Sequence, residues 1–66
     1  MASPIFTSFL IKKYIVQLRS SRNSPWKDYK AYRSLEDARR TLREQLRQNP
    51  ETEGRIVNRM TGQVIS

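Results

Sequence analysis

Between Ser34 and Pro50 the chain carries one apolar stripe, and that stripe most constrains what the rest can fold into. Leu35, Ala38, Leu42 and Leu46 recur at spacings of three and four, which gathers them on one face of an α-helix. Ser34 suits the N-cap, where its hydroxyl can accept from the N–H near Asp37. Glu36 and Asp37 set negative charge at the positive end of the helix dipole. Asn49-Pro50 ends the helix, because a residue before proline is pushed out of helical geometry. A helix with one apolar face must lie on something, and 66 residues leave room for one small sheet.

The flanking segments supply that sheet. In Ile11–Arg19, Tyr14, Val16 and Leu18 alternate with Lys13, Ile15, Gln17 and Arg19, the period of a half-buried strand. Ser20 to Pro25 is a polar loop, and Trp26–Arg33 returns as a second strand, antiparallel because the connection is short. After the helix, Glu51–Gly54 reads as a loop, Arg55–Arg59 as a third strand, Met60-Thr61-Gly62 as a turn and Gln63–Ile65 as a short fourth strand. The expected fold class is α+β, a small antiparallel β-sheet of three to four strands in the order β-β-α-β-β, with one helix packed on one face. Residues 1–10 form an N-terminal arm ahead of a single domain over 11–66. The arm's Ile5, Phe6, Phe9 and Leu10 point to a segment docked on the body, with a frayed arm as the alternative.

Apolar residues make up 36% of the chain, so the core is small and a homodimer contact or a partner is expected to add burial. There is no cysteine to staple it and no histidine, which removes the commonest general base and the commonest metal ligand together. Neither a metal nor another cofactor is expected. No apolar run approaches the ~18 residues of a membrane span. The charges follow the apolar opening segment where a secretory signal would have them first, so a soluble cytoplasmic chain is expected.

Carboxylates are then the only candidates for enzyme chemistry. Glu36 and Asp37 point about 100° apart on the helix and cannot form a dyad. Glu51 and Glu53 lie too sparsely for a calcium loop, and two isolated glycines make no phosphate cradle. A non-enzymatic protein is expected.

Charge indicates the partner. From Lys12 to Arg33 seven basic residues face one acid, Asp28, whereas from Ser34 onward six arginines face five acids. Nearly all of the formal +7 sits beside Tyr14, Trp26, Tyr29 and Tyr32, a composition suited to nucleic acid or an acidic protein surface. With Tyr14, Val16, Leu18, Tyr29 and Ala31 toward the helix, the open face would show Lys13, Ile15, Gln17, Arg19, Trp26, Asp28, Lys30 and Tyr32. The alternative turns Tyr32 inward beside the helix start, with Trp26 capping the edge of the core. On the helix, Arg39, Arg43 and Arg47 form a like-charged stripe. It is either a solvated face paired by Glu36 and Glu44 or a ridge that tracks phosphates or acids.

Tyr32-Arg33-Ser34-Leu35-Glu36-Asp37-Ala38 resembles the aromatic-x-Ser/Thr-Leu-Glu-Glu-Ala helix start of many short bacterial and phage β-β-α-β proteins, and Arg55 to Val64 resembles their closing hairpin. Lys12-Lys13-Tyr14, Ser20-Ser21, Ser24 and Leu35-Glu36-Asp37-Ala38 fall where similar residues stand in the small host-RNA-polymerase inhibitors of podoviruses. This likeness spans residues 12–60. It implies the strand-strand-helix-strand order and a polymerase contact through arginines after the helix, to which Arg55 and Arg59 correspond. The chain departs from that family in its strongly basic character.

The expected function is binding. Lys13, Arg19, Arg22, Trp26, Lys27 and Lys30, with Arg55 and Arg59 as a second group, would dock on an acidic surface of a host nucleic-acid-processing protein. In the competing expectation the same face binds single-stranded RNA or DNA directly, with Trp26 and Tyr32 stacking on bases. A third makes the N-terminal arm an element of self-association.

Overall fold

The computed structural model describes residues 11–65, so the arm expected over residues 1–10 lies outside the described residues. The elements are β1 (Tyr14–Arg19), β2 (Lys27–Tyr32), α1 (Leu35–Gln48) and β3 (Glu53–Asn58). The fold is α+β, with an antiparallel three-stranded sheet ordered β2-β1-β3 and α1 across one face. Because β2 and β3 both run against β1, they run parallel to each other on its two sides. Helix α1 is therefore a crossover that spans the central strand.

The helix forms where its stripe and caps require. Ser34 accepts from the Asp37 N–H at 3.4 Å, and the Asn49 N–H donates to the Gln45 carbonyl at 2.9 Å beyond the last turn. Its stripe seats Ala38 and Leu42 against Val16 of β1 and Ile56 of β3, all four buried. Tyr14, Leu18, Tyr32, Leu35, Leu46 and Ile65 close round this centre.

The element order corrects the sequence expectation at its end: it is β-β-α-β, and the expected fourth strand is one bridge, Val57 to Val64. The Asn58 N–H donates to the Gln63 carbonyl and the Ile65 N–H to the Ile56 carbonyl, at 2.8 and 2.7 Å. The turn between them tightens around Gly62 at φ 78° and around Asn58 Oδ1, which accepts from the Met60 N–H at 2.8 Å. Two such bonds anchor Ile65 over the core but cannot propagate a ladder. The third strand also starts earlier than expected, at Glu53, which brings Gly54 into the sheet.

Gly54 is needed there for a spatial reason. A Cβ on it would overlap Leu42 Cδ1 and lie 3.1 Å from Leu18 Cδ2, so α1 rests directly on the β3 backbone. Among the described residues no helix is long and apolar enough to cross a membrane.

Candidate functional site on the open sheet face

Which residues face away from the helix follows from register. Val16 packs under α1, so its neighbours Ile15 and Gln17 point to the other side. Ile15 stands opposite Ala31 and Val57, Gln17 opposite Asp28 and Arg55, and Arg19 opposite Glu53. Directly opposed residues share a face, so the side away from the helix carries an apolar band in which Ile15 is itself buried, followed by two polar rows that are more accessible.

A bulge reverses half of β2 relative to the sequence expectation. Val16 pairs with Lys30 and Gln17 with Asp28, leaving Tyr29 as the extra residue. Beyond that point the alternation is shifted by one. Lys30, expected on the open face, stands on the helix side, as does Tyr32, which takes the inward alternative beside the helix start, and Ala31, expected toward the helix, stands on the far side. Tyr32 packs against the core and its oxygen accepts from Thr41 Oγ1 at 2.6 Å. Tyr29 keeps the helix side as expected, its oxygen accepting from Gln45 Nε2 at 3.1 Å.

The two polar rows interlock. In one, Gln17 Nε2 donates to Asp28 Oδ1 at 2.9 Å, while Gln17 Oε1 accepts from Arg55 Nε at 2.8 Å. One amide thus links an anion on β2 to a cation on β3 through the central strand, with both of its polar ends used. In the other row, Arg19 Nε and Nη2 donate to Glu53 Oε1 at 2.8 and 2.6 Å. Trp26, just before β2, leans over both rows: the guanidinium carbons of Arg19 and Arg55 lie 4.3 and 4.4 Å from its ring centre. Such contacts hold a flat cation against a flat ring and fix where its remaining N–H groups point. Arg19, Trp26 and Arg55 are half-buried, and every side chain in the cluster has its orientation set by another strand.

The remaining residues expected at the site are spread out. Lys13 lies just before β1, its ammonium 5.4 Å from the Tyr14 ring, and the Arg59 N–H donates to its carbonyl at 2.7 Å. Arg22 is exposed in the β1–β2 loop, beside the linked hydroxyls of Ser20, Ser21 and Ser24. Lys27 lines a shallow cleft of about 430 Å³ with Leu18, Pro25, Tyr29 and Thr52. Lys30 sits 5.5 Å from the Tyr32 ring on the helix side. The structure therefore brings together Arg19, Trp26 and Arg55 and leaves Lys13, Arg22, Lys27, Lys30, Tyr32 and Arg59 outside that cluster. Sequence reasoning did not assign Gln17, Asp28 or Glu53 to the site. Their only sequence signal is the placement of Gln17 and Asp28 at alternating positions of adjacent strands.

Lys27 and Lys30 also have a plain structural use. Among the described residues they lie on the outer edge of β2, beside its bulge, and both charge and bulge deter a further strand from pairing there.

Comparison with known proteins gives no family model, no curated protein and no solved structure that matches the chain.

Proposed function

We propose that this is a non-enzymatic binding protein of a phage-type or bacterial accessory kind. It lays its open sheet face on an acidic surface of a host nucleic-acid-processing protein and modulates or inhibits it. The observation that carries this reading is the cluster in which Arg19 and Arg55 are held over Trp26 and tied to Glu53 and Gln17. An oriented guanidinium loses little freedom on meeting a carboxylate, and its free N–H pair matches a carboxylate edge-on. Trp26 contributes by holding both guanidiniums in place against its ring.

Direct stacking of single-stranded bases is the weaker reading. It needs Trp26 and Tyr32 on one open surface, yet Tyr32 lies under the helix with its hydroxyl engaged by Thr41, and the Trp26 ring already meets two guanidiniums.

The test uses the tagged full chain on a nuclease-treated host lysate, at about 50 mM and again at about 500 mM salt, where exposed charge pairs are screened. The expected result is salt-sensitive retention of a nucleic-acid enzyme whose activity falls when the protein is added, with both effects lost in the Arg19→Gln/Arg55→Gln variant. Retention that is equal for the double variant, or no retained protein, overturns the proposal. Quenching of Trp26 fluorescence by a labelled single strand, with no protein retained, supports the stacking reading in its place.

A further inference from the structure

The exposed flank of α1 carries a row of cations that the sheet-face reading does not use. Arg39, Arg43 and Arg47 stand one turn apart, rising about 6 Å at each step from the helix repeat. Thr41 and Gln45 reach Tyr32 and Tyr29 of β2, so the opposite flank, with Arg39 and Arg43, lies toward β3. Among the described residues, none of the three arginines has a carboxylate within ion-pair distance. The acids expected to balance this stripe, Glu36 and Glu44, stand beside it on the same helix but close no ion pair with Arg39, Arg43 or Arg47. Among the described residues α1 makes one ion pair, Arg40 to Asp37 at 3.8 Å, while Glu36 lines a cleft with Arg39 and Arg43 without pairing.

Like charges at four-residue spacing repel, so the repulsion within the row works against the helix that carries it. Arg47 complements the helix dipole in the last turn, but Arg39 and Arg43 lie too early to do so. A row with that spacing fits an anion that is itself a row, with charges repeating at a comparable interval. The exposed helix surface holds no aromatic side chain, so it offers nothing for an unpaired base to stack on. What it offers is charge alone, which suits the outside of a duplex.

We propose that the Arg39–Arg43–Arg47 ridge binds the phosphate backbone of double-stranded DNA without regard to sequence. The inference goes beyond the sheet-face reading and uses the opposite layer of the fold, so a duplex and a protein partner are held at the same time. Arg40 extends the ridge around the helix, and Glu36 limits how closely a phosphate approaches its start.

The test is fluorescence anisotropy of a labelled duplex of about 20 base pairs, titrated with the full chain between about 50 and 200 mM salt. Three phosphate contacts contribute about 2.7 to the slope of log affinity against log salt, or about 40-fold in affinity across that range. The Arg39→Gln/Arg43→Gln/Arg47→Gln variant is expected to lose a slope of that size. Its circular dichroism and melting temperature should be no lower than those of the parent, because Gln keeps helix propensity and removes repulsion.

A control variant with the same charge change elsewhere, Arg22→Gln/Lys27→Gln/Lys30→Gln, should keep most of the slope. The sheet-face variant Arg19→Gln/Arg55→Gln should bind the duplex unchanged while losing its protein partner, so the two readings fail separately. Equal loss in the control, loss in the sheet-face variant, preference for a single strand, or no duplex binding at about 50 mM salt would each overturn the proposal.

Discussion

Replacing Gly54 by alanine tests the way helix and sheet meet. The backbone of Gly54 is not in the left-handed region, so alanine meets no conformational penalty and the effect is one of space alone. The new methyl would overlap Leu42 Cδ1 and press on Leu18 Cδ2 and Leu46 Cδ2, at 3.1 and 3.4 Å. Leu42 is buried at the centre of the core with Val16 and Ile56, so it cannot swing outward without opening that centre. Overpacking of this kind costs about 1–3 kcal/mol. The loss of glycine's freedom in the unfolded chain returns about 0.4–1 kcal/mol, which leaves a net destabilisation of about 1–2 kcal/mol.

A domain of this length has roughly 3–10 kcal/mol of stability in all, so the loss is easily measured. It corresponds to a melting temperature lower by about 4–8 °C for each kcal/mol. Urea unfolding followed by Trp26 fluorescence gives the first number, and thermal unfolding followed by far-UV circular dichroism gives the second. The decisive measurement is the double variant with Leu42→Ala. Alone, Leu42→Ala should cost about 2–4 kcal/mol through the cavity it leaves. With Leu42 shortened, however, the alanine methyl at position 54 has room, and the double variant should be more stable than the sum by about 1–2 kcal/mol. A Gly54→Ala protein as stable as the parent, or strict additivity with Leu42→Ala, would refute the idea that helix and strand touch at this point.

Two further predictions concern separate parts of the fold. Ser34→Ala removes the side chain that caps α1 and should cost about 1 kcal/mol, whereas Ser34→Asp should restore the cap, both read from urea unfolding. Glu53→Gln breaks the Arg19 ion pair, whose side chains are 22% and 40% exposed. Its cost should stay at or below about 1 kcal/mol and shrink in high salt, so a larger, salt-independent loss would mean that the pair fixes the sheet and not merely the Arg19 side chain.

The helix was legible in the sequence because several independent signals agree on it: the stripe, the Ser34 cap, the acidic first turn and the Asn49-Pro50 stop. The first strand was legible because its two faces differ in polarity. The second was not. In Lys-Asp-Tyr-Lys-Ala-Tyr both alternating sets are partly apolar, and the bulged residue is Tyr29, which carries none of the glycine signature that would mark a break in register. Gly54 misled in the opposite way. A glycine after a proline loop reads as more loop, whereas here it is a strand position kept bare for Leu42. The Arg19–Glu53 and Gln17–Arg55 contacts join residues far apart in the chain and appear only once the order of strands is known. The arginine row on α1 was visible as spacing, but whether its neighbours balanced it depended on rotamers that spacing does not determine.

The position of β1 carries a consequence for how the protein comes into being. The strand that ends in the middle of the sheet is the first to be made, and it is also the most apolar of the three. Its hairpin mate follows at once and covers one edge. The other edge stays bare until the whole of α1 and then β3, through Asn58, have left the ribosome. During that interval the nascent chain exposes a short sticky strand, and only the last residues of the fold seal it. A chain cut before β3 would therefore lose more than an outer strand, since the missing piece is the lid on its oldest one.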